Sequence, residues 1–444
     1  NYKMLALRMI ILGLLVSMCD VIFPMFNRYA INHFLGNKTF DTIILFILSF
    51  LAVLICQGIM NYINVMDCSK MELYMNRDLR NSAFSHLQEV SLSYYNQNNV
   101  GYIHARVMSD SGKIGEMMAW RCMDVIWFGS YILFALTVML ITNWKLALFI
   151  IALVPIAVIF IFIFQKKLLV LNHKVREMNA RITAGINEGI TGVKSIKTLS
   201  IEGKMTDEFA DDTAQMYHRS VRTTHYSALF SSSVTLMSSV ALAIVLWKGG
   251  ELNQAKLMEI GTLSIFMSYA LGLLDPIQNM VNAISKMISI QVNIERYCNL
   301  MNTEGEVFDT KEVIEKYGDT FNEKRDNWEP LIGDVEFKDV TFHYPDGDEL
   351  VLEHFDLKVP KGANVAIVGE TGAGKSTLVN LVCRFFEPTS GQVLIDSKDI
   401  KERSLQWLHS NIGYVLQSPH LFSGNIRDNL KYGKENATDE EIYT

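Results

Sequence analysis

Residues 42–66 contain no Asp, Glu, Lys or Arg. A helix needs about 20 predominantly apolar residues to cross the hydrocarbon core of a bilayer. Five further stretches suit such a crossing. Residues 146–164 and 226–247 carry no charge, and residues 9–26 and 260–283 are broken only by Asp20 and Asp275. The shorter run 125–141 extends backwards through Asp124 and Arg121. Six membrane spans are therefore expected. The rest of the chain is too polar for a bundle alone: 20% of the 444 residues are charged while 50% are hydrophobic. Such an average implies two unlike parts, one in the membrane and one in water.

The connections between the spans are unequal. Residues 36–41, 142–145 and 248–259 are short and hold few basic groups, while residues 67–116 and 165–222 are long and basic. The second long connection alone carries Lys166, Lys167, Lys174, Arg176, Arg181, Lys194, Lys197, Lys204, Arg219 and Arg222. Positive charge stays on the cytoplasmic side, which puts the long connections and both termini inside. Met71, Tyr74, Met75 and Leu79 recur at helical spacing, so the spans should run on as helices into the cytoplasm. No signal-peptide cleavage site follows the first apolar stretch.

The net charge of −7 offers no basic surface for nucleic acid, and no nucleic-acid partner is expected. Cys19, Cys56, Cys68, Cys122, Cys298 and Cys383 form no CxxC pair. They read as packing thiols, not as a zinc site or a disulfide framework. From about residue 299 the character changes. Residues 301–332 read as a charged linker between a transmembrane domain (1–300) and a soluble α/β domain (333–444).

The soluble part carries the strongest chemical signal. Val365-Ala366-Ile367-Val368 has the composition of a buried strand. It leads into Gly369-Glu370-Thr371-Gly372-Ala373-Gly374-Lys375-Ser376-Thr377, which satisfies G-x-x-x-x-G-K-[ST], and an apolar helical pattern follows. Glycines let successive N–H groups turn inward around phosphate oxygens. The helix start adds partial positive charge. Lys375 would reach the β- and γ-phosphates of ATP, and the Ser376 hydroxyl would ligate Mg²⁺. Upstream, residues 335–345 alternate like a half-exposed strand ending at Tyr344. That aromatic suits packing, or stacking on adenine. Downstream, Ile412-Gly413-Tyr414-Val415-Leu416-Gln417 reads as a strand ending in an amide, free to be a polar terminus, to ligate Mg²⁺ or to orient water.

Together these residues resemble a half-transporter of the ABC exporter superfamily, and the resemblance runs over nearly the whole chain. It implies a six-helix all-α transmembrane domain followed by part of an α/β phosphate-loop nucleotide-binding domain. Residues 369–377 match the family's phosphate loop and Tyr344 its adenine-stacking aromatic. Gln417, with Leu421-Phe422-Ser423-Gly424-Asn425-Ile426 beyond it, matches the segment that senses Mg-nucleotide and touches the transmembrane domain. Tyr94-Tyr95-Asn96, Val100-Gly101 and Arg106 to Asp110 resemble the first coupling region. Residues 186–197 resemble the second, a crossing helix that docks on the partner chain. Asn425 stands where Thr or Ser is more usual, and Ser397 where Gly is common.

The resemblance further implies ATP hydrolysis with Lys375 and Gln417 in catalytic roles, ATP and Mg²⁺ as cofactors, and a second identical or different half-transporter as partner. It implies export of a small amphipathic or hydrophobic drug, lipid or peptide across the cytoplasmic membrane. Two alternatives stay open: a peptide exporter with an N-terminal domain ahead of Asn1, and a nucleotide-gated channel on the same scaffold. The sequence starts without Met and holds no LSGGQ-type motif, no strand ending in Asp-Glu and no switch histidine. The expectation is a piece of a longer protein, inactive as an ATPase alone. Asp20 reads either as part of a substrate path or as a group near the outer half that is solvated or paired with Arg28, and Asp275 as structural beside Pro276. Met18, Met25, Met60, Met66, Met118 and Met139 suit ordinary packing or an adaptable cavity.

Overall fold

The computed structural model describes residues 2–303, 305–345, 347, 349–370, 372–416, 420–434 and 436–443. It divides into two compact units. One comprises residues 1–83 and 104–301, the other residues 84–103 and 302–444.

The first unit is helical. Helix α1 (Tyr2–Tyr29) continues through a π-helical turn at Ala30–Gly36, and α2 (Ile43–Glu89) begins after a short turn. α3 (Leu92–Gln97) and α4 (Val100–His104) lead into a π-helical turn, Ala105–Asp110. α5 (Ser111–Glu116), a second such turn (Met117–Arg121) and α6 (Cys122–Thr142) complete the third span. α7 (Trp144–Thr191), the short α8 (Val193–Leu199) and α9 (Glu202–Gln254) follow. The last span is α10 (Ile260–Gly272) and α11 (Leu274–Met301). Six helices among the described residues are long and apolar enough to cross a membrane, at 2–36, 43–89, 100–142, 144–191, 202–254 and 260–301.

The long connections are helical, as the spacing predicts. α2, α7 and α9 run 47, 48 and 53 residues, or roughly 70–80 Å at 1.5 Å per residue, more than twice a hydrocarbon core. Asn143 starts α7 by accepting from the Leu146 N–H at 3.2 Å, the side-chain cap that satisfies a free donor at a helix start. The sixth span breaks at Leu273. Pro276 has no N–H to give the Gly272 carbonyl, which ends the continuous ladder there.

One apolar core joins α1, α6, α7, α9 and α10 through Val21, Met139, Leu146, Val245, Phe266 and Tyr269. Another joins α7, α9 and α11 through Ile161, Phe230 and Ile277. The most apolar 18-residue stretch of α2 buries none of its own residues. Met139 is buried in the first core, whereas Met18, Met25, Met66 and Met118 are exposed. All six cysteines are free, with Cys68 and Cys383 buried and Cys56 and Cys298 exposed.

The second unit holds a four-stranded antiparallel sheet in the order β2-β1-β3-β4, with β1 Val335–His343, β2 Leu350–Val359, β3 Ser390–Ile395 and β4 Lys398–Asp399. α12 (Lys311–Tyr317), α13 (Lys375–Val382), α14 (Leu405–Ser410) and α15 (Ile426–Lys431) accompany it. Phe337, Val340, Phe342, Leu381, Phe386, Val393 and Trp407 form its core.

One sequence expectation is corrected here. Residues 365–368 and 412–416 are not in strands, and Val368 and Val415 are 92% and 95% exposed. A buried parallel strand takes its ladder bonds and its cover from neighbours on both sides. No strand among the described residues pairs with either run, so apolar composition alone does not make them strands. The expected linker, 301–332, includes ordered elements among its described residues. The Thr310 side chain caps α12. Asp309 takes the Arg384 guanidinium at 2.8 Å and the Leu405 N–H, at the start of α14, at 3.0 Å.

Candidate functional site

The glycine-rich segment expected as the phosphate loop lies ahead of α13. Its shape depends on two glycines in the left-handed region, Gly372 at φ +92° and Gly374 at φ +79°. A Cβ on Gly374 would also stand 3.2 Å from Val351 Cγ1. Lys375, the first residue of α13, folds back so that Nζ donates to the Gly369 carbonyl at 2.9 Å and the Glu370 carbonyl at 2.6 Å. The ammonium is thus held at the loop mouth by carbonyl dipoles, weaker acceptors than a phosphate anion. Ser376 is exposed in the first turn of α13 and Thr377 is buried. Thr371 and Gln417 lie outside the described residues.

Tyr344 is brought to this helix. Its hydroxyl shares a 2.9 Å hydrogen bond with Thr377 Oγ1, and its ring meets Phe342 and Phe386 edge-on at 5.0 and 5.2 Å. Tyr344, Pro345, Asn380 and Phe386 line a cleft of about 340 Å³ whose other wall is Ser93, Asn96 and Gln97 of α3. α3 is further tied down by Ser91, whose Oγ accepts from the Glu306 N–H at 3.3 Å. α3 and Tyr344 lie far apart in the sequence, so no local spacing reveals that one walls the cleft of the other. Only the fold brings them together.

Around this centre the second unit is held by charge. Glu329 accepts from Lys316 Nζ at 3.1 Å, Arg403 Nε at 3.2 Å and Lys398 Nζ at 3.3 Å. Lys316 above all, then Arg403 and Lys398, hold its carboxyl down at about 2. Burial pushes Asp396 up, but N–H groups of Ile332, Asp334 and Gly333 outweigh it and leave that carboxyl below the usual range. The two departures from the family pattern are accommodated. Ser397 sits at φ +62°, the conformation glycine adopts without strain. Asn425 caps α15 in a reciprocal pair with Asp428, work that Thr or Ser would also do.

In the spans, Asp20 is not paired with Arg28. It accepts from Gln57 Nε2 at 2.6 Å and Trp127 Nε1 at 3.1 Å, while Arg28 lies 4.0 Å from Glu259. Asp275 is exposed in the first turn of α11, where free N–H groups and the helix dipole favour a carboxylate. Arg106 and Asp110 form a buried ion pair at 2.6 Å, with Asn293 at 3.5 Å from Asp110.

Six membrane-length helices and a phosphate loop on one chain define a polytopic membrane protein with a nucleotide-binding region. Residues 6–277 match the family described as ABC transporter transmembrane region, and residues 352–444 match the family described as ABC transporter. The chain belongs to the ABC transporter family, with the membrane region ahead of the ATP-binding region as in exporter half-transporters. It is 32% identical over 82% of its length to a probable multidrug resistance ABC transporter ATP-binding/permease protein, YheH, of Bacillus subtilis, and spans 52% of that protein. It is 27% identical over 98% of its length to the uncharacterized ABC transporter ATP-binding protein YfiC of the same species, spanning 70% of it. An ATP-dependent lipid A-core flippase of Desulfotalea psychrophila is 28% identical over 88% of the chain, which spans 66% of that relative.

Proposed function

We propose that the protein works as one half of a dimeric exporter in the cytoplasmic membrane. It uses ATP to move small amphipathic or hydrophobic compounds outward by alternating access. The nucleotide-binding region and both termini face the cytoplasm, where the basic connections belong. The observation that carries the reading is the cleft shared by Tyr344 and α3. Tyr344 there faces α3, the segment that follows the 47-residue helix α2, which supports a link between a nucleotide held at Tyr344 and that helix. A nucleotide stacked on Tyr344 would press on α3, and a continuous helix transmits the displacement.

Within the site, Lys375 would exchange the Gly369 and Glu370 carbonyls for phosphate oxygens. The Ser376 hydroxyl, with Gln417, would ligate Mg²⁺, which neutralises phosphate charge when bound. Two chains closing over ATP would favour the outward-facing state by binding it more tightly. The names of the relatives, multidrug resistance for one and lipid A-core flippase for another, support an amphipathic cargo.

The test is Lys375→Ala in the full-length protein, reconstituted in vesicles with its nucleotide-binding side outward. ATP hydrolysis should fall by about a hundredfold or more, and ATP-dependent uptake of a fluorescent amphiphile should vanish. Wild-type uptake by the variant would overturn the reading.

A further inference from the structure

Asp20 sits inside a membrane span, half-buried, and forms no ion pair among the described residues. The guanidinium groups of the helices around it are engaged elsewhere. Arg8 pairs with Asp67, Arg28 faces Glu259, and Arg121 holds Glu116 and Asp124. A carboxylate at such depth is costly and calls for a partner or a polar cavity. Gln57 and Trp127, which bond it, are neutral donors, one on each oxygen. They orient the group without neutralising it.

The surroundings narrow the chemistry that would suit it. One turn before Asp20, the Ser17 hydroxyl is fully buried and has no hydrogen-bond partner among the described residues. Trp127 keeps 37% of its surface open and stacks on Phe128 at 5.2 Å. Trp127 turns its N–H edge to Asp20, and a partly open indole face next to that contact is the kind of surface that attracts an organic cation. A metal ion fits poorly, because it needs several oxygen ligands, and N–H donors occupy one lone pair on each Asp20 oxygen. No cluster of metal-ligating side chains occurs among the described residues. Between α1 and α2 lies an apolar cleft of about 380 Å³ whose lining includes Ile22, Met25, Phe26, Leu45 and Phe46.

We infer that Asp20, with Trp127 and Gln57, forms an intramembrane site for the charged end of a lipophilic organic cation. The inference rests on the export reading, since it names a cargo class for that pathway. Gln57 and Trp127 fix the carboxylate, the indole face covers the cation, and the apolar cleft takes the rest of the molecule.

The probe is tetraphenylphosphonium, with tetraphenylborate as an anion of the same shape. Each is titrated onto the full-length protein in nanodiscs, with protein-free discs as blank and no ATP present. The wild type should bind the cation saturably and in preference to the anion. Asp20→Asn should weaken cation binding about tenfold or more, which is at least one factor of ten in Kd, and abolish that preference. Asp20→Glu should restore most of both. An unfolded variant would lose both ions together, so the ratio separates loss of charge from loss of structure. Equal cation affinity in the wild type and Asp20→Asn, or no saturable binding by the wild type, overturns the site. ATP-driven uptake of a neutral amphiphile, measured in parallel, tests the export reading separately: its absence with cation binding intact sinks that reading alone.

Discussion

Glu329 gathers three cations, and its carboxyl lies at about 2 instead of 4.5. A depressed carboxylate stabilises the fold above its unfolded value, and that contribution is lost as pH falls through the folded value. The window here is therefore between about pH 4.5 and pH 2. The side chain is 36% exposed, so solvent screening reduces the contribution to roughly 1 kcal/mol. Glu329→Gln should lower the unfolding midpoint at pH 7 and flatten the acid limb of stability between those values. An unchanged acid limb, followed by thermal melts at stepped pH, would show that the carboxylate contributes nothing. At this scale the sequence is readable where backbone shape demands a residue type. Gly372 and Gly374 stand in the motif because of their positive φ, and Ser397 departs from glycine at a position that is left-handed. The partners of Glu329 are not readable, because they lie 13, 69 and 74 residues away and converge only through the sheet.

β1 shows how an element carries its irregularity in its own letters. Phe337, Val340 and Phe342 face the core, so the inward parity shifts once, between Phe337 and Val340. The register breaks at the same place, and Asp339 there has φ +52°. A bulge inserts one residue and resets which face is apolar. Gly391 makes this bulge possible. It has φ +82°, and a Cβ would stand 2.2 Å from the Asp339 carbonyl oxygen. Gly391→Ala should therefore destabilise the second unit by about 3 kcal/mol or more, from strain and a backbone clash together. Gly413→Ala, with nothing within 4 Å, is the control and should be nearly neutral in the same denaturation series. Equal midpoints for the two variants would mean the bulge relaxes freely. The six spans are legible because a bilayer demands uninterrupted apolar length. Residues 365–368 and 412–416 mislead because a strand is defined by its neighbours, which composition does not report.

For the whole molecule, what matters is whether helices of this length behave as levers. α7 carries Pro155 in its membrane half, and no proline follows it before Thr191. Beyond the bilayer it runs beside α9, tied by Arg181 to Asp212 at 3.0 Å, and ends at α8, which buries no residue of its own. An exposed short helix at the tip of a long stiff pair is well placed to receive force. If α7 transmits that force, softening it outside the membrane should uncouple the two activities without touching either site. Ala180→Gly with Ala184→Gly lowers helix preference by about 1 kcal/mol at each position. ATP turnover should persist, while substrate moved per ATP should fall about threefold or more, as the weakened segment absorbs displacement that a rigid helix would pass on. Turnover and uptake measured on the same vesicles give the ratio directly. A ratio equal to that of the wild type would mean that α7 only positions α8, and that the stroke travels through α2 and α3 instead.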